Sequence, residues 1–267
     1  MPENIRVVVT GATGKMSREV LAALCREPGL EPVGAVSRRA GEEALALPDG
    51  SGSIPLSADL GSLLNQLRPD VLVDFTTSEY SVDAARLAVR FGVRPVVGTT
   101  GWTSAAVADL EVLCRAQQVG AVIAPNFALG AVVMTYLAKL AAPFFDYIEL
   151  IELHHEQKAD APSGTAISMA RQMAAARATP AVVPPTLKET VPGTRGNTVD
   201  GITVHSVRLP GQVAHHEIIF GGLGQTLRIR HDSISRESFM PGVVLAVREV
   251  MNRGELVFGL DKLLGLA

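Results

Sequence analysis

Ile5-Arg6-Val7-Val8-Val9-Thr10-Gly11-Ala12-Thr13-Gly14-Lys15-Met16-Ser17 joins an apolar, β-branched run to a glycine turn and then to an amphipathic helical pattern. A strand that stops at glycines and resumes as a helix from about Ser17 to Arg26 is how a βαβ unit begins. In that context Gly11 and Gly14 let backbone amides approach a pyrophosphate, and the positive end of the helix favours its charge. Lys15 adds a cation, and Ala12, Thr13 and Met16 complete the turn. The spacing is GxxGxxS, with Thr13 and Ser17 standing where GxGxxG has glycines, so a plain strand-to-helix turn competes with a dinucleotide site.

The same alternation continues outward. PVGAVS (32–37), VLVDFT (71–76), PVVGTT (95–100) and AVIAPN (121–126) are near-continuous apolar runs, as in strands covered on both faces, and SVDAARLAVRFG and SAAVADLEVLCRAQ read as helices between them. This predicts an α/β fold with an N-terminal, Rossmann-like, doubly wound parallel sheet. After Asn126 the texture changes. A helix over 130–142, the strand YIELIELHH (147–155), a helix over 165–178 and a Pro- and Gly-containing loop (184–201) precede ITVHSVRL, HHEIIF and QTLRIRHD. Those segments predict an α+β domain with an open mixed sheet, mostly antiparallel. The last helix, PGVVLAVREVMNR, tolerates Pro241 in its first turn and is assigned back to the first domain. The expected division is 1–126 with 237–267 for dinucleotide binding and 127–236 for substrate binding and oligomerisation.

Composition narrows the class. Of 267 residues, 47% are hydrophobic and 19% charged, with a formal net charge of −3 and no run of lysine or arginine. Nothing there draws the chain to nucleic acid or an anionic membrane, which leaves a small-molecule partner. The first residues lack the pattern of a secretory signal and no apolar run approaches the roughly 18 residues of a spanning helix, so a cytoplasmic location is expected. Cys25 and Cys114 are the only cysteines, outside any CxxC spacing, so neither a disulfide framework nor a metal site is expected.

Where a strand end often carries an acid for a ribose 2′-hydroxyl, this chain reads Ser37-Arg38-Arg39. Two guanidinium forks and a hydroxyl suit a 2′-phosphate, against the plainer reading of a solvated basic turn, and they predict NADPH as the preferred cofactor over NADH. Gly98, Thr99 and Thr100 follow another strand, beside the expected nicotinamide end. Phe75 and Ala124, Pro125, Asn126 and Phe127 lie at equivalent strand ends, where ligands gather in open α/β sheets.

ELHHEQKADAPSGTA (152–166) carries the remaining chemistry. Alternation along the strand points His154 and His155 to opposite sides, so they can hold different jobs. An imidazole donates a proton near neutral pH; Lys158 supplies a fixed cation, with Asp160 to orient a neighbour. Ser163, Gly164 and Thr165 open a helix whose free amides bind an anion, although PSGT is by itself an ordinary cap. A zinc reading fails for want of a third ligand at HExxH spacing. The His215-His216 pair is assigned to a structural strand or subunit contact, and His205 and His231 to no role.

Together GATGKM, DFT, VGTTGW, APNFALG and ELHHEQKADAPSGTA resemble the dihydrodipicolinate (4-hydroxy-tetrahydrodipicolinate) reductase family over essentially the whole chain. SISRESFMPG, with Arg236, fits the family's return to the nucleotide domain. The resemblance implies NAD(P)H-dependent reduction of a cyclic imine dicarboxylate in diaminopimelate and lysine biosynthesis, by a homotetramer. It implies His154 as general acid, Lys158 as a second donor or electrostatic partner, and His155 on one substrate carboxylate with the Gly164 and Thr165 amides on the other. Gly11 to Met16, Gly98 to Thr100 and Ala124 to Phe127 fall on its cofactor contacts. Ser17 replaces a usual glycine, with a modest weakening of binding expected. The alternatives are a relative acting on another cyclic imine, a short-chain dehydrogenase, for which Tyr136 and Lys139 have the wrong spacing, and a nucleotide-sensing module without catalysis.

Overall fold

The computed structural model describes residues 4–38 and 43–266, so the expectation for Arg39 lies outside the described residues. Its strands are β1 (Ile5–Thr10), β2 (Leu30–Val36), β3 (Ala44–Ala46), β4 (Ser53–Ser57), β5 (Val71–Asp74), β6 (Arg94–Val97), β7 (Ala121–Ile123), β8 (Tyr147–His154), β9 (Asn197–Val199), β10 (Ile202–Arg208), β11 (Ala214–Gly222), β12 (Gln225–Ser233) and β13 (Leu256–Phe258). The helices are α1 (Lys15–Arg26), α2 (Leu60–Leu67), α3 (Ser78–Arg90), α4 (Ser104–Gln117), α5 (Leu129–Ala141), α6 (Gly164–Ala175), α7 (Met240–Val250) and α8 (Leu260–Leu263).

Two compact units result, one running up to Phe127 and resuming at Phe239, the other from Ala128 to Ser238. The first holds a sheet in the order β13-β7-β6-β5-β1-β2-β4-β3, in which every pairing is parallel except β3 with β4. Its central strands are fully buried because helices cover them: Val8, Leu72, Leu64 and Ala88 form one core cluster, and Val97, Leu110 and Ile123 another. The strand order reverses between β5 and β1, which places Thr10 and Asp74 side by side at the carboxyl edge of the sheet. In the second unit the order is β12-β11-β8-β10-β9; β8 runs parallel to β10 and antiparallel to β11, so the sheet is mixed. Helices α5 and α6 lie against it.

Two differences from the sequence reading have physical causes. α1 begins at Lys15, two residues before Ser17, because an extended Gly14 serves as its cap. The short strands β3 and β4, and β13 at the far edge, are three to five residues long, too short for a periodic pattern to show in the sequence. Among the described residues no helix is long and apolar enough to cross a membrane.

Candidate active site

The carboxyl edge of the first sheet is built for close approach. Gly11 has φ +62°, and a Cβ there would sit 2.8 Å from Thr76 Cγ2, so a side chain is excluded both by conformation and by space. Ala12 N donates to Val36 O at 3.0 Å and Gly14 N to Gly11 O at 2.7 Å, which folds the turn back on the strand. No side chain caps α1, while Thr13, Gly14 and Lys15 are exposed around its first turn. Ser17 is buried and donates from Oγ to Thr10 O at 2.9 Å, so its side chain lies between helix and strand and ties them together. Ser37 is buried, with Oγ 3.2 Å from Thr13 Oγ1, and Arg38 beside it is exposed.

The neighbouring strand ends interlock. The Phe75 ring covers Gly98 so closely that a Cβ on Gly98 would fall 2.0 Å from Phe75 Cε1, and the ring meets Phe127 at 5.5 Å. Asp74, fully buried, receives Thr76 Oγ1 at 2.6 and 2.7 Å and Thr99 Oγ1 at 3.3 Å. Burial pushes its carboxyl above the usual range against the pull of those hydroxyls. Ala124 is buried and Pro125 exposed at the end of β7. The structure thus groups the β1 turn with Ser37, and Phe75 with Gly98, Thr99 and Phe127. Arg236 belongs to the second unit and is exposed in a 3-10 turn (Arg236–Phe239) at that unit's end.

In the second unit, β8 alternates so that Ile148, Leu150, Glu152 and His154 face the interior. Glu152 is completely shielded and accepts from His154 Nδ1, from Arg208 Nη1 at 2.9 Å and Nη2 at 2.8 Å, and from Ser163 N at 3.3 Å. Burial alone would raise its pKa, but the His154 and Arg208 hydrogen bonds prevail and bring it down to about 2. An ionised Glu152 can only accept, so the proton on His154 Nδ1 is fixed toward it and Nε2 is left for other chemistry. Arg208 reaches the same acid because the parallel register sets it beside His154, and its Nη2 also donates to Asp160 O at 2.6 Å.

The other expected residues gather around this pair. Ser163 Oγ caps α6 by accepting from Ala166 N at 3.2 Å; Gly164 is exposed with open space at its Cβ position, and Thr165 is half-buried. His155 and Lys158 are half-buried on the connecting turn, where Lys158 Nζ donates to Asp160 Oδ1 at 2.6 Å.

His216 is the correction. It lies on a structural strand as expected, but its ring packs edge-on against His154 with centroids 5.5 Å apart, and its Nε2 is 3.5 Å from Ser163 Oγ. Burial, followed by the nearby His154 charge, pushes His216 down to about 4, so it stays neutral beside the Glu152–His154 pair. Its partner on the strand, His215, pairs with Asp232 at 2.6 Å on the other face, and His205 pairs with Glu149. Sequence reasoning missed Glu152, Arg208 and His216. Glu152 left a signal, an acid in the apolar phase of β8, two residues before His154.

Models of the two halves of one family match this chain: "Dihydrodipicolinate reductase, N-terminus" over residues 5–127 and "Dihydrodipicolinate reductase, C-terminus" over 130–264. The chain belongs to the dihydrodipicolinate reductase family. It is 53% identical to a 4-hydroxy-tetrahydrodipicolinate reductase of Dehalococcoides mccartyi over 98% of this chain and 99% of the relative. It is 49% identical to one of Geobacillus thermodenitrificans over 97% and 99%. Among solved structures, the dipicolinate-bound dihydrodipicolinate reductase from Paenisporosarcina sp. TG-14 superposes with a TM-score of 0.87 at 41% identity, covering 97% of this chain and 99% of that one. An amine dehydrogenase from Mycobacterium smegmatis, at 16% identity and a TM-score of 0.69, shares the fold.

Proposed function

We propose that the protein reduces 4-hydroxy-tetrahydrodipicolinate, by way of its dehydrated cyclic imine, to tetrahydrodipicolinate in diaminopimelate and lysine biosynthesis, with NADPH preferred and NADH as a second cofactor. The observation that carries this reading is the buried Glu152–His154 pair next to the Ser163-capped N-terminus of α6, a proton donor beside the first-turn amides of a helix. Family membership supports it, and the Paenisporosarcina relative is a complex with dipicolinate, an aromatic dicarboxylate of the same skeleton.

The residues at the first sheet's edge suit a dinucleotide. The uncapped first turn of α1 and the side-chain-free approach at Gly11 offer amides to a pyrophosphate, with Lys15 as a cation. Ser37 and Arg38 suit a 2′-phosphate, and Phe75, Gly98, Thr99 and Phe127 form a small-residue and aromatic wall for the nicotinamide end. When bound, the nicotinamide supplies a hydride.

The chain's own part is to hold charge and deliver a proton. Glu152 engages His154 Nδ1 and so leaves Nε2 to act as general acid toward the carbon next to the one reduced, an effect worth roughly 100- to 10,000-fold. Lys158, held by Asp160, adds positive charge where negative charge develops, which stabilises the transition state more than the ground state. His155 takes one substrate carboxylate; the Gly164 and Thr165 amides, backed by the Ser163 cap, take the other. A homotetramer in the cytoplasm completes the reading, with the second unit's sheet as its contact surface. The test is to follow NADPH and NADH oxidation with substrate made in situ from pyruvate and aspartate semialdehyde. Oxidation with a higher kcat/KM for NADPH is expected; no oxidation with either cofactor overturns the reading.

A further inference from the structure

Asp74 is the most demanding buried group that the reaction above leaves unused. It ends β5 with no exposure, and among the described residues no lysine, arginine or histidine lies in ion-pair range. A carboxyl group in such a place is costly unless its acceptors are filled. They are filled by a small network: Thr76 N donates to Thr99 Oγ1 at 2.8 Å and, at the longer 3.2 Å, to Asp74 Oδ1 itself; Thr99 Oγ1 donates to Asp74 Oδ1 at 3.3 Å, and Thr76 Oγ1 donates to both carboxyl oxygens.

Because the carboxyl oxygens only accept, they turn the Thr99 hydroxyl hydrogen inward and leave its lone pairs to Thr76 N. The residues after β5 are thereby laced to those after β6. The contacts that shape the sheet edge lie beside this lacing, which adds to the backbone bond from Gly98 N to Asp74 O: Phe75, between Asp74 and Thr76, lies over Gly98 and against Phe127, and Thr76 Cγ2 sets the distance to Gly11. Nothing in Asp74 itself reaches the surface, so it acts through Thr76 and Thr99.

We propose that Asp74, with Thr99 as its intermediary, is a positioning residue for the nicotinamide end of the bound nucleotide. The assignment rests on the nucleotide reading above. It separates the two ends of the ligand, because the lacing joins the β5 and β6 edges, whereas the 2′-phosphate is read at Ser37 and Arg38 beyond β2.

The test compares NADPH with 2′-phospho-ADP-ribose, the same molecule without nicotinamide, by titration calorimetry on the full chain. Thr99→Val keeps the shape and removes the relay; Thr99→Ser restores the hydroxyl; Asp74→Asn keeps the size and removes the pure acceptor. Losing one hydrogen bond to a charged group weakens NADPH by about tenfold in Thr99→Val and Asp74→Asn, while 2′-phospho-ADP-ribose stays within about twofold and Thr99→Ser binds like the parent. Steady-state kinetics of the same variants shift KM for NADPH more than kcat. Thermal unfolding without nucleotide checks folding, and if Asp74→Asn fails to fold, the Thr99 pair decides. Unchanged NADPH affinity in Thr99→Val, or equal weakening of both ligands, overturns the assignment. Failure of the unaltered protein to bind NADPH overturns the nucleotide reading itself.

Discussion

Replacing Glu152 with glutamine tests the centre of the second unit. The substitution preserves volume but gives Arg208 one acceptor where it had two, and sets an amide or a neutral oxygen against His154 Nδ1. The carboxyl is held from 4.5 down to about 2. At about 1.36 kcal/mol per unit that difference is on the order of 3 kcal/mol of folding stability. Breaking a fully buried pair by removing one partner costs a similar amount, roughly 3–5 kcal/mol. The sign follows from the depressed folded value: the stabilisation is complete above the unfolded pKa near 4.5 and is lost as pH falls toward 2. Urea unfolding at pH 7 is expected to show Glu152→Gln destabilised by about 3 kcal/mol, and at pH 3 the gap narrows by roughly 2 kcal/mol because the parent has lost most of its advantage. Parallel stability profiles for the two proteins between pH 7 and pH 3 would refute the claim that Glu152 is an ionised anchor.

Other perturbations separate the remaining roles. His154→Gln is expected to lower kcat by about 100-fold or more with little change in KM, whereas His155→Ala mainly raises KM; a parental kcat in His154→Gln removes that residue from proton transfer. Gly98→Ala drives a methyl to within 2.0 Å of the Phe75 ring, so the ring must swing away, at a cost of about 1–3 kcal/mol in thermal unfolding and a measurable loss of NADPH affinity. Ser17→Gly deletes the bond to Thr10 O and adds glycine flexibility to α1. A loss of about 1–2 kcal/mol in denaturant unfolding is expected, and a gain in stability counts against the tethering role of Ser17.

What could be read in the sequence was decided by whether the signal is local. Val71–Val73 and Pro95–Val97 are uninterrupted apolar runs and declare themselves as buried parallel strands, and Gly11 marks the turn that follows β1. Ala44–Ala46 and Ser53–Ser57 lie at a sheet edge, where half-exposed short strands need no apolar run, so their pattern is silent. The same division holds in the site. His154, Lys158 and Ser163 share one contiguous stretch. Arg208 comes from 56 residues further on and meets Glu152 only because β10 pairs in parallel with β8, and His216 arrives opposite Glu152 through the antiparallel register of β11. Pair registers of that kind are set by tertiary packing.

The interrupted first unit has a consequence for the order in which the protein can be made. β13 pairs with β7, so the edge formed by Ala121–Ile123 waits for Leu256–Phe258 to be synthesised. At about 5–20 residues per second, the 133 residues from Ile123 to Leu256 take roughly 7 to 27 seconds to emerge from the ribosome. For that interval the nascent sheet presents an open, apolar edge while the whole second unit is threaded out behind it. A release of the chain anywhere between Ile123 and Phe258 would therefore leave an aggregation-prone strand uncovered.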